Sequence, residues 1–236
     1  MGVPPTARFA CLPPHARDRG RGGGAAPEGR SPRGRSPRAP VRSALMGFLD
    51  ALLGGRGKKV KGAAPDRLFA MTTANVTLET GLGLKHRETA GIVFQPLGTA
   101  DFETILAETE ELLRGTAEET GTEMRSAEDE YGYRWLVLRD PDFDDLVVAL
   151  NTISTALQGS GYGDRLLCAV FAFEEKGRPL YFIYNFKRGA YYPFVPAPGD
   201  KARDNERELR LKSQVGSELP FEEEISRWFP LWEIPL

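Results

Sequence analysis

The sequence predicts an α+β fold: a mainly antiparallel sheet with packed helices, behind a disordered basic N-terminal tail. Three observations predict it. LLCAVFAFEE (Leu166–Glu175) and PLYFIYNFKR (Pro179–Arg188) are apolar on both faces and are separated by the turn Lys176-Gly177-Arg178, so they read as central, covered strands. Two stripes keep helical spacing: Phe102, Ile105, Leu106, Thr109, Leu112, Leu113, and Phe143, Leu146, Val147, Leu150, Ile153, Leu157. Strands and helices interleave without a regular βα repeat, which disfavours a parallel sheet.

The elements follow in order. After a linker around Gly62–Pro65, a short helix is expected near Asp66–Met71. VTLETG (Val76–Gly81) and AGIVFQP (Ala90–Pro96) read as strands, with TGLGLKHRE as loop around them. Asp101 is placed as the cap of the next helix, which runs to about Gly115 or a little beyond. TEMRSAEDE and YGYRWLVLRD form a hairpin with acidic residues at its turn. Asp140-Pro141 begins another helix, with a cap and a first-position proline, and GSGYG ends it. AYYPFVP runs extended. A charged helix then carries Leu209, Leu211, Val215 and Leu219, and PFEEEISRWFPLWEIP closes with a short helix and aromatic residues. The order of helices and hairpins resembles secretion-chaperone-like folds by analogy alone.

The chain has 236 residues, 41% hydrophobic, and a formal charge of -2. Residues 1–45 hold nine arginines against Asp18 and Glu28, a net of +7, which leaves -9 for residues 46–236. The first segment lacks periodicity and bulky aliphatic residues, so it reads as disordered. A nucleic-acid arm and an organellar targeting peptide are two readings of it. The reading favoured here is a false start, with translation from Met46. The acidic body speaks against nucleic acid as a partner. Cys11 and Cys168 make no disulfide framework, and no apolar run is long enough to span a membrane.

From Met46, MGFLDALLGGRGKKVKG places Phe48, Leu49, Leu52 and Leu53 on one side of a two-turn helix. Gly54 and Gly55 stop it, and Arg56, Lys58, Lys59 and Lys61 follow. An apolar stripe beside a cationic cluster fits an anionic membrane surface. Docking on a partner, or on this chain's own body, fits it too. Ala51 stands where a myristoylation signal wants Ser or Thr.

No catalytic, cofactor-binding or metal-ligating residue emerges. His86 stands alone between Lys85 and Arg87 and is expected to be solvated. Cys168 sits within an apolar strand as a packing residue. Neither a metal-ligand spacing nor a phosphate loop is present. Asp142, Asp144 and Asp145 suit a helix start, and Glu222–Glu224 are assigned to another. The most informative stretch is NFKRGAYYPFVP (Asn185–Pro196). Lys187, Arg188, Tyr191 and Tyr192, with Arg203 and Asp204 downstream, are a candidate ligand or interaction patch. The reading favoured for the stretch is structural, with aromatics covering a core edge while the cations take solvent. Trp228, Phe229 and Trp232 read as a lid over the sheet or as an exposed partner site.

Three stretches carry a resemblance: MGFLDALLGG at Met46, YNFKRGAYYPFVP at Tyr184, and RDNERELRLKSQVGSELPFEEEISRWFPLWEIP from Arg203. Residues 46–236 resemble the bacterial PspA-associated protein PspAB family, found largely in actinobacteria. The resemblance implies an accessory role in the phage-shock, envelope-stress response, with phage-shock protein A as partner. It supplies no activity, cofactor or catalytic set. The expectation is a non-enzymatic, cytoplasmic protein, peripheral on the inner membrane face. It has a tail (1–45), an amphipathic helix with basic linker (46–65) and one α+β domain (66–236). The alternative is a small-ligand or enzymatic domain using a cleft near Lys187, Arg188 and Tyr191.

Overall fold

The computed structural model describes residues 67–236. The tail, the helix and linker of residues 46–65, and with them Phe48, Leu49, Leu52, Leu53, Lys58, Lys59 and Lys61, lie outside the described residues. The body consists of α1 (Ala70–Leu82), β1 (Lys85–Phe94), α2 (Ala100–Thr120), β2 (Glu123–Glu128), β3 (Arg134–Arg139), α3 (Phe143–Gly159), β4 (Leu166–Glu175), β5 (Arg178–Asn185), β6 (Ala190–Phe194), β7 (Pro196–Ala197), β8 (Ala202–Arg203) and α4 (Asn205–Val215). Six strands form one sheet in the order β2-β3-β1-β4-β5-β6. Every pairing in it is antiparallel. The α+β class is therefore as expected.

The two apolar runs occupy β4 and β5, in register from Cys168↔Asn185 to Glu175↔Arg178. Side chains alternate across the sheet. Ala90, Ile92, Leu136, Leu138, Ala169, Phe171, Phe182 and Tyr184 enter the core that the helices share. α3 lies against β1, β3 and β4 and against both neighbouring helices. The opposite face carries Val93, Trp135, Val137, Val170, Ile183 and Tyr192, all buried as well. The C-terminal segment lies against this second face. Trp232 meets Phe194 edge-on at 5.1 Å. A Cβ on Gly91 would stand 3.1 Å from Leu236 Cδ2, so glycine lets that side chain approach β1. The Arg125 guanidinium donates to the Pro235 carbonyl.

Five local expectations need correction. Val76–Gly81 is the second half of α1, not a strand. Its β-branched residues favoured extension, but Met71, Ala74 and Leu78 fall on one buried helical face, and tertiary packing decides. The helix stops at Gly83, whose φ of 67° is left-handed, with the Gly83 amide on Glu79 and the Leu84 amide on Leu78. The supposed loop thereafter is the start of β1. Second, Thr99 rather than Asp101 caps α2: its hydroxyl accepts from the Phe102 amide at 3.4 Å, and Asp101 sits in the first turn. Third, α3 begins at Phe143, capped by Asp142, whose carboxylate accepts from the Asp144 amide at 2.9 Å. Asp140 lies two residues earlier, buried, accepting from the Asp142 amide at 2.8 Å and from the Thr122 hydroxyl. Fourth, Leu209 is exposed on α4, whose inward positions are Glu208, Leu211 and Val215. Fifth, Glu222–Glu224 open no α-helix; only the three-residue turn Ile225–Arg227 follows.

Phe171 is fully buried and touches Phe143 and Tyr191 at ring distances of 5.8 and 6.4 Å. Phe171→Ala is expected to cost about 3–5 kcal/mol, read as a fall in the urea midpoint at constant slope. Val148→Ala, at a position 51% exposed, is expected to stay within about 0.5 kcal/mol.

Candidate functional site

The stretch Asn185–Pro196 folds as the β5–β6 turn followed by the edge strand β6. Asn185 shapes the turn: its carbonyl accepts from the Gly189 amide at 2.8 Å and its side chain accepts from the Arg188 amide at 3.1 Å. Gly189 has φ 62°, which suits glycine. Strand alternation then separates the two tyrosines. Tyr191 turns into the helix-side core, ring centroids 4.8 Å from Tyr184, and its hydroxyl donates to the Leu68 carbonyl at 2.6 Å. Tyr192 turns to the second face. Burial pushes both phenols well above their ordinary range.

The cations of the stretch stay at the surface. Lys187 and Arg188 are exposed. With Ala190, Phe221, Glu222, Glu223, Glu224 and Arg227 they line a shallow hollow of about 520 Å³. Arg188 Nε donates to Glu222 Oε2 at 2.9 Å, and Arg227 Nη1 stands 3.6 Å from Glu222 Oε1. Burial works to raise the Glu222 carboxyl. The Glu224 amide and the Arg188 guanidinium outweigh it and hold the group below its ordinary value. Glu224 pairs with Arg227 at 2.7 Å and Glu223 with Lys212 at 2.6 Å. Lys187 has no ion-pair partner among the described residues.

Behind the hollow, Pro220–Glu222 covers the outer edge of β6. The Tyr191 amide donates to the Pro220 carbonyl and the Glu222 amide to the Tyr191 carbonyl, both at 2.8 Å. This parallel bridge between Tyr191 and Phe221 satisfies backbone groups that an edge strand would otherwise present. The aromatic cluster divides. Trp228 is buried, donating its indole N–H to the Glu222 carbonyl at 2.9 Å. Trp232 and Phe229 are partly buried.

Arg203 and Asp204 lie in a second constellation. The Glu208 side chain, 1% exposed, accepts from the Val195 amide at 2.9 Å. Arg203 donates to both its oxygens, at 2.7 and 3.1 Å. The same guanidinium donates to the Trp228 carbonyl at 2.7 Å and lies 5.7 Å from the Phe194 ring centre. Burial raises the Glu208 carboxyl against the opposing pull of Arg203 and the Val195 amide. Asp204 caps α4, accepting from the Arg207 amide at 2.9 Å. The structure therefore gathers Lys187 and Arg188 at one hollow, buries Tyr191 and Tyr192 on opposite faces of β6, and commits Arg203 and Asp204 to fixing α4. Sequence reasoning missed Glu222, Arg227 and Glu208. The alternation of acid and base in RDNERELR and EEEISR was the only available signal, and it does not say which pairs meet.

His86 is less exposed than expected. Its ring meets Phe143 edge-on at 5.4 Å, Nδ1 accepts from the Glu88 amide at 3.3 Å, and Nε2 lies 3.6 Å from Glu79. Cys168 is buried, and burial pushes its thiol up to about 12. No group of three or more potential metal ligands occurs among the described residues, and no described helix is long and apolar enough to cross a membrane.

A family model described as PspA associated protein B matches residues 46–236. No curated protein and no solved structure matches the chain.

Three outcomes are expected. Arg203→Met leaves Glu208 buried without its cation and costs about 3–5 kcal/mol by chemical denaturation, whereas Glu206→Ala on the exposed face of α4 costs under about 1 kcal/mol. Glu222→Gln removes a carboxylate held below its ordinary value. Its stabilising share is present above the unfolded value and is lost as pH falls through the folded one. The stability gap between wild type and variant should therefore narrow on acidification, and a constant gap from neutral pH into the acid range counts against this pairing. Cys168 should react with a thiol reagent at pH 8 only at the rate of unfolding.

Proposed function

The chain belongs to the PspA associated protein B family, and from that premise we propose a non-enzymatic accessory protein of the phage-shock, envelope-stress response. It contacts phage-shock protein A or the inner membrane face. It is cytoplasmic and peripheral. Phe48, Leu49, Leu52 and Leu53 insert or dock, while Lys58, Lys59 and Lys61 add charge attraction to anionic headgroups. The family match carries this reading, because it spans the apolar-basic segment together with the body. A two-turn helix gains little stability alone in water, so a leaflet or a partner helix is what would order it.

Two measurements test the proposal. Purified phage-shock protein A should capture the full chain, and a version lacking residues 46–61 should be captured about tenfold less well. Absence of capture of the full chain removes the association. Flotation with phosphatidylglycerol vesicles should likewise depend on residues 46–61 and decline with added salt. Equal flotation of the shortened chain removes the membrane contact.

A further inference from the structure

We propose that the body meets the anionic leaflet with one defined end, built from the chain entrance at Arg67, the β5–β6 turn and the Ile225–Arg227 turn. This deepens the membrane reading of residues 46–61 and rests on it. Residues 67–236 hold 18 basic and 29 acidic side chains, a net of -11, so most of the surface is repelled by an anionic bilayer. This end has the opposite balance. Arg67 Nη1 donates to the Gly189 carbonyl at 3.1 Å, which sets the chain entrance beside Lys187 and Arg188. Arg227 lies across the same hollow, and Lys212 reaches Glu223 on its rim. Arg188, Lys212 and Arg227 engage Glu222, Glu223 and Glu224 in turn, and Arg67 and Lys187 stand outside those three pairs. Lys187 has no ion-pair partner among the described residues.

Apolar side chains accompany these cations. Phe69, two residues from Arg67, is 37% exposed, and Ile225 is 53% exposed. Chain length supplies the independent argument. Lys61 is six residues before Arg67, so even a fully extended connection holds it within about 20 Å of this end. A leaflet bound by residues 48–61 therefore lies within reach of Lys187 and Arg188. Arg178 is the first residue of β5, at the other end of that strand from the β5–β6 turn. The occupant is lipid phosphate, recognised as a charged plane rather than as a single ligand, because the hollow is shallow and its carboxylates are already paired.

Flotation of the full chain with mixed phosphatidylglycerol and phosphatidylcholine vesicles tests this. Lys187→Ala should weaken binding about fivefold, and Lys187→Glu more, since one basic residue near such a surface is worth about a factor of five. Arg178→Glu makes the same charge change as Lys187→Glu and should bind like wild type. Pure phosphatidylcholine should capture none of these proteins well. If Lys187→Glu matches wild type, or weakens binding only as much as Arg178→Glu, this orientation is wrong while the membrane reading stands. If wild type itself ignores the anionic vesicles, both fail together. If Lys187→Glu leaves flotation intact and lowers capture by purified phage-shock protein A, the end is a protein contact and the proposal is overturned.

Discussion

A carboxylate sealed inside the body, Glu208, sets what its surroundings must do. Its oxygens accept from the Val195 amide where β6 ends and from the Arg203 guanidinium. Arg203 in turn holds the Trp228 carbonyl. One ion pair therefore joins the edge strand, α4 and the C-terminal segment. A buried carboxylate is tolerated only when its charge and lone pairs are met. Arg203 is placed to meet them because β8 pairs with β7, Ala202 opposite Ala197, directly after β6. The small β7–β8 ladder thus positions the guanidinium rather than extending the sheet. Arg207 adds a second tie, forking onto Glu175 at the end of β4 at 2.9 and 3.1 Å.

The C-terminal segment makes the sheet a two-sided core. With helices on one face alone, Val93, Val137, Val170 and Ile183 would face water. Their burial against a segment with little regular structure explains why that segment is rich in Trp, Pro and Leu. It covers by side-chain insertion, and its backbone is tied at a few points only. The two sheet edges are treated differently. Pro220–Glu222 closes β6, whereas β2 carries Glu123, Arg125 and Glu128, charges that discourage further strand pairing.

The same loop that closes β6 shapes the hollow lined by Lys187, Arg188 and Arg227. Glu222 is drawn inward by the Trp228 indole on its carbonyl and by Arg188 on its carboxylate. Among the described residues, that leaves Lys187 without an ion-pair partner, near Arg67, which holds the Gly189 carbonyl. A positive end on an acidic body is a consequence of which carboxylates were spent on pairing, not of composition.

The α+β class, the β4–β5 hairpin, the β2–β3 hairpin and the helices α2 and α3 were legible in the residues alone. The helices show a local period, and β4 and β5 show continuous apolar runs, which their burial then satisfies. The sequence also carried the family motifs, which are runs of contiguous residues. That Val76–Gly81 is helical depends on packing, because Leu78 has a core to face. Tertiary contacts likewise made Arg203 a clamp for Glu208 instead of a surface cation. Pairing among charges so close in sequence depends on where the backbone brings them. Periodicity records only which face a residue occupies; it does not record its partner across space.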